Sequence, residues 1–125
     1  MRKQITAEKG AKAIGPYSHA IVCQGTFVFV SGQGPANPET GKAPEGFREQ
    51  AIQTLTNVKT IVEAAGASMA DVVKVNAYLR SMDDFAVFNE VYKTFFSEPF
   101  PARTTVQSGM LIAIEVDAIA VLPEK

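Results

Sequence analysis

Few residues in this chain can do chemistry, and they fall in four short segments. Between Glu98 and Glu115 the one charged residue is Arg103. A planar guanidinium at the mouth of an uncharged, strand-like run suits bidentate binding of a carboxylate. Strand alternation puts Arg103, Thr105 and Gln107 on one side. The alternative is a structural ion pair with a carboxylate of this chain. Glu115 and Asp117 stand two apart in Ile114-Glu115-Val116-Asp117-Ala118, on one face with Ile119 and Val121. Their spacing along a strand is about 7 Å. A carboxylate beside apolar surface tends towards a raised pKa and can serve as acid or base. Asp117 reads as the structural member of the two. Glu115 reads as the chemical one if Arg103 is near, and the short connection 109–113 between their strands would allow that.

The other two segments are Gly15-Pro16-Tyr17-Ser18-His19 and Val30-Ser31-Gly32-Gln33-Gly34-Pro35. The first places Tyr17 just before a strand, where it reads foremost as an amphipathic packing residue of the turn, or else as a ring that packs while its hydroxyl faces a cleft. The second is a strand running into Ser31 and two glycines, which let a ligand approach backbone N–H groups. It reads equally as a plain strand exit, and no helix follows at once, so it is not a phosphate loop. The single histidine, His19, and the single cysteine, Cys23, exclude an internal disulfide, a Cys₂His₂ zinc site and multi-histidine metal catalysis. No metal is expected. A Ser-His-Asp set would lean wholly on His19, and Cys23 reads as a packing residue.

These residues need a framework. At 125 residues, 46% apolar and 20% charged, the sequence fits one soluble globular domain over 1–125. Twelve basic against thirteen acidic residues give a net charge of −1, so nothing drives nucleic-acid binding. No secretory signal opens the chain, and the uncharged run 13–38 is too broken by glycine and proline to span a membrane. A cytoplasmic protein is the expectation.

Strands are expected at Ala20–Cys23, Phe27–Val30, Val72–Leu79, Thr104–Ser108 and Ile114–Val121, and a weaker one at Arg2–Ile5. Gln24-Gly25-Thr26 reads as a hairpin turn. One helix carries Phe47, Ala51, Leu55, Val58, Val62 and Ala65 at helical spacing, with Pro44 in its first turn and Gly66 just past its end. A second opens at Ser81-Met82-Asp83-Asp84, with Phe85, Phe88, Val91, Tyr92, Phe95 and Phe96 forming its apolar face and Pro99 and Pro101 stopping it. The order predicts an α+β fold, a sheet with both helices on one face. Phe27/Phe29 alternate with Val28/Val30, and Ile119/Val121 with Ala118/Ala120, so the sheet is apolar on both faces. Something else must cover the second face, and a partner subunit is the simplest candidate.

Across nearly its whole length the chain resembles the RidA/YjgF family of reactive intermediate imine/enamine deaminases. The resemblance rests on Ile14-Gly15-Pro16-Tyr17, Val30-Ser31-Gly32-Gln33, the helix Asn57–Gly66, Phe88-Asn89, Phe100-Pro101-Ala102-Arg103 and Ile114–Ala120. It implies a chorismate-mutase-like fold with a mixed sheet, and a homotrimer with clefts between subunits. It also implies 2-iminobutanoate/2-iminopropanoate deaminase activity. That reaction hydrolyses imines, or enamines such as 2-aminoacrylate, from pyridoxal-phosphate-dependent dehydratases to 2-keto acids and ammonia, with no cofactor. Position by position, Arg103 matches the family's carboxylate clamp and Glu115 the acid that holds the attacking water. Tyr17, Ser31 and Asn89 match cleft residues, and Gly32 would present backbone near the substrate. Thr105 stands where many members carry Cys, so it keeps a hydrogen-bonding role without thiolate chemistry. Either Tyr17 or Ser31 would steady the imine nitrogen. Two alternatives are an endoribonuclease or translation inhibitor, a label relatives often carry, and a non-catalytic module binding small carboxylates.

Overall fold

The computed structural model describes residues 2–124. The elements are β1 (Arg2–Ile5), β2 (Ala20–Cys23), β3 (Phe27–Gln33), α1 (Phe47–Ala64), β4 (Val72–Leu79), α2 (Phe85–Phe95), β5 (Ala102–Gln107) and β6 (Ile114–Val121). Short 3-10 turns, Met69–Asp71 and Met82–Asp84, lead into β4 and α2. Four strands make a mixed sheet in the order β3-β6-β4-β5. The β4–β5 pair is parallel and the other two are antiparallel.

β1 and β2 form a separate two-stranded ribbon. The segment 24–26 is therefore not the hairpin turn expected. Gly25 does take a positive φ of 139°, but the chain there leaves the ribbon and enters the sheet. The ribbon is tied to the β5 edge through Ser18, which bridges in parallel to Ala102.

α1 starts after Gly46, whose φ of 84° breaks the backbone path from Pro44. Pro44 thus lies outside the helix rather than in its first turn, and its carbonyl accepts from Gln50 Nε2 (3.0 Å). Gly66 follows the last turn with φ 94°, as expected. The buried stripe is Ala51, Thr54, Leu55, Val58 and Val62. Ala65 is exposed because the helical face has ended by then. In α2 the buried residues are Phe88, Val91 and Tyr92. Ser81 Oγ accepts from the Asp83 N–H (3.1 Å) and so caps the 3-10 turn rather than α2 itself.

Both helices cover one sheet face. Beneath them Val75, Ala77 and Leu79 of β4 and Ile114, Val116, Ala118 and Ala120 of β6 are buried. Each fully buried Val, Leu or Ile side chain among these stabilises the fold by about 1.5–3 kcal/mol. The opposite face is open. Phe29 is 74% exposed there, Phe27 and Val106 are exposed, and Ile119 and Val121 are partly so. No described helix is long and apolar enough to cross a membrane.

Candidate active site

Arg103 lies one residue inside β5, which begins earlier than expected and pairs it with Val75 of β4. It is only 9% exposed and points to the helix side. Its guanidinium carbon lies 4.8 Å from the Tyr92 ring centroid, 5.3 Å from Phe88, and 5.7 Å from both Phe85 and Tyr17. Four ring faces attract the cation without neutralising it. No carboxylate pairs with it among the described residues, and Nη1 is buried without a hydrogen-bond partner. Burial lowers the Arg103 pKa, while the Tyr92 and Tyr17 phenols oppose that shift. The structural ion-pair reading is therefore not met. A buried, unpaired guanidinium is a costly arrangement that an incoming anion would relieve.

Around it stand three other expected residues. A Cβ placed on Gly15 would come within 3.1 Å of Arg103 Nη2 and 3.5 Å of Asn89 Nδ2, so this glycine lets the 14–17 turn close over both groups. Tyr17 Oη accepts from the Ile14 N–H (3.3 Å). The Asn89 Oδ1 and Thr105 Oγ1 atoms are buried without partners, as Nη1 is. Ser18 holds this turn in place: its N–H donates to Pro101 O (3.1 Å) and its hydroxyl donates to Phe100 O. A recess of about 350 Å³ opens beside Arg103, walled by Ile14, Tyr17, Met82, Phe85 and Thr105.

Glu115 is elsewhere. It pairs with Tyr78 of β4, three residues on from the Val75 partner of Arg103, and β4 lies between the two strands. It also points to the open face, since its neighbours Ile114 and Val116 are buried under the helices. The expectation that residues 109–113 bring Arg103 and Glu115 together is thus not met within one chain. Glu115 sits instead against Gly32. Between the pairs Val30–Ala118 and Gln33–Val116 the register shifts, leaving Ser31 and Gly32 opposite Asp117 alone. Such a bulge re-aims side chains and bares backbone. A Cβ on Gly32 would fall 2.4 Å from Glu115 Oε2, so the carboxylate lies directly over this glycine. The strand does not end at Val30 but carries Ser31 and Gly32 within it.

The remaining candidates are structural, as read. Asp117 accepts from Asn76 Nδ2 (2.9 Å) and Tyr78 Oη (3.1 Å). His19 Nδ1 accepts from the Ala7 N–H (3.0 Å), with Nε2 2.6 Å from Ala11 O. Sequence reasoning missed the recess walls Ile14, Met82 and Phe85. It took Phe88 and Tyr92 for core alone, although they also floor the guanidinium. Gln107 was placed on the Arg103 face, but its long-range hydrogen bond from the Met82 N–H (2.9 Å) has no local signal in the sequence.

Residues 7–122 match the family model described as Endoribonuclease L-PSP. A RutC family protein of Pyrococcus abyssi is 48% identical over 95% of this chain and 96% of its own length. The 2-iminobutanoate/2-iminopropanoate deaminase of Escherichia coli is 43% identical over 97% of this chain and 98% of its own. The crystal structure of RidA from the Antarctic bacterium Psychrobacter sp. superposes with a TM-score of 0.76 at 44% identity, covering 96% of this chain and 99% of that one. With the fold matched from end to end, the chain belongs to the RidA/YjgF family.

Proposed function

We propose that this protein hydrolyses 2-imino acids, and their enamine tautomers, to 2-keto acids and ammonia. The observation that carries this reading is the Arg103 guanidinium, buried among four rings with no carboxylate partner among the described residues. It suits the carboxylate of a small 2-imino acid. The imine carbon is already electrophilic, so orientation and a held water supply what the reaction needs, with no cofactor. In this reading Glu115 holds the water that adds to C2. Its proton passes by way of the carboxylate to the nitrogen, and the carbinolamine then expels ammonia and leaves the ketone. Tyr17 or Ser31 steadies the nitrogen, and Asn89, Thr105 and the Gly32 backbone complete the cleft.

One chain holds the two halves on opposite faces of its sheet, so a working site needs the Glu115 half of one subunit against the Arg103 half of another. The uncovered apolar face supports such an assembly, and a homotrimer with sites at its subunit boundaries is the arrangement we propose. Arg103→Ala is expected to reduce ammonia release, in an assay coupled to a threonine dehydratase, to the spontaneous rate. An unchanged rate would remove the hydrolytic reading. An endoribonuclease reading has the family description in its favour, but a net charge of −1 opposes it. Salt-sensitive RNA cleavage that disappears with Arg103→Ala would revive it.

A further inference from the structure

The recess beside Arg103 has a wall that hydrolysis itself does not use. Once the guanidinium holds a carboxylate, Ile14, Met82 and Phe85 are the apolar surface of this recess open to the substituent on the adjoining carbon. Ile14 is 81% exposed and Met82 39% in the single chain, so both side chains are open to a molecule held at Arg103. Met82 is not loosely placed. Its N–H donates to Gln107 Oε1, while Ser81 Oγ accepts from the next N–H and tightens the same turn. Gln107 lies two residues beyond Thr105 and four beyond Arg103 on one strand, so a single element sets both the anion clamp and the wall.

We propose that Met82 determines which side chains the site accepts, and that Gln107 is a positioning residue that holds Met82 against the recess. This rests on the hydrolytic reading above and narrows its substrates to 2-imino acids with apolar side chains. The walls this chain supplies carry no charge apart from Arg103, so an ionised side chain lying on them would lose hydration without a counter-charge there, and an acidic one would compete for the clamp. Methionine is flexible and polarisable, and it fills gaps of varied shape, which suits a series of side chains rather than one.

The test generates imines in place with a flavin-dependent amino-acid oxidase acting on alanine, methionine, leucine, phenylalanine and glutamate. Hydrolysis is followed as loss of the semicarbazone formed in competition. The wild type is expected to act on the apolar imines and poorly on the glutamate-derived one. Met82→Ala is expected to raise kcat/KM for the phenylalanine-derived imine relative to the alanine-derived one by about 10-fold, the scale of a hydrophobic-pocket change. Gln107→Ala is expected to shift the same ratio. Gln107→Glu, which keeps an acceptor oxygen for the Met82 N–H, is expected to restore it. A ratio unmoved by Met82→Ala overturns the role of Met82, and a Gln107→Glu variant that behaves as Gln107→Ala overturns the role of Gln107. If the wild type speeds no imine at all, the hydrolytic reading fails by itself. Calorimetric titration of the corresponding 2-keto acids then decides the wall: a side-chain-dependent change in affinity on Met82→Ala upholds it, and none removes it.

Discussion

Glu115 and Gly32 are the sharpest case of one residue dictating another's identity. The carboxylate lies so close to the Gly32 backbone that any Cβ there would overlap Oε2. Gly32→Ala must therefore move the Glu115 side chain, which sits on an open face and is free to yield. Displacing a catalytic group by about 1 Å can cost around 100-fold in rate. The expected outcome is a fall in kcat of about 10–100-fold, with carboxylate binding at Arg103 retained and the thermal midpoint nearly unchanged. Steady-state kinetics with 2-keto acid titrations would separate these, and a wild-type kcat would show that Glu115 takes no part in the reaction. Arg103 is the contrasting case. Its partners are rings rather than charges, so its type is fixed by planarity and delocalised charge, and Lys would not substitute for it.

At the scale of elements, β4 and β6 are stitched on the open face by a polar cluster amid apolar neighbours. Asp117 accepts from both Asn76 and Tyr78. The hydrogen bond to Asp117 is the main cause raising the Tyr78 pKa, followed by the Asp117 charge, burial and the Glu115 charge. A phenol with a raised pKa holds its proton longer in the folded chain than in the unfolded one. Its contribution is fully present below the ordinary tyrosine value of about 10 and is lost as pH rises through the folded value. Urea unfolding midpoints measured from pH 8 to 11 should thus decline at the alkaline end, and less steeply in Tyr78→Phe. Equal slopes would place the alkaline loss elsewhere. The elements themselves were legible in the sequence, because apolar spacing and Gly or Pro boundaries are local signals. Pairing was less so. Nothing local in Gln24-Gly25-Thr26 says that β2 turns away from β3, since that depends on Ser18 meeting Ala102 some eighty residues later. The same limit applied to the site. The residue types of Arg103 and Glu115 suggested the roles proposed for them, but strand order and side-chain direction, which are long-range properties, put them on opposite faces.

For the whole molecule, that separation gives the proposed trimer a quantitative signature. Arg103→Ala and Glu115→Ala each remove one half of the site, and each should be inactive alone. In a mixed ring of the two variants, a boundary works when the subunit lending Arg103 is the Glu115→Ala form and its neighbour lending Glu115 is the Arg103→Ala form. With equal and random mixing this occurs at about a quarter of the boundaries of a closed cyclic oligomer. Co-expression of the two chains is therefore expected to recover roughly a quarter of wild-type kcat per boundary, with KM unchanged, because each restored site is complete. If one subunit supplied both groups, every subunit in the mixture would lack one of them, and no proportion of the two variants would restore activity. Introducing Phe29→Glu into both chains should abolish the recovery as well, since it puts a charge on the exposed apolar face that the assembly must bury. Light scattering of the same samples would then report smaller species. Recovery that persisted in the presence of Phe29→Glu would mean that the subunits meet through a different surface.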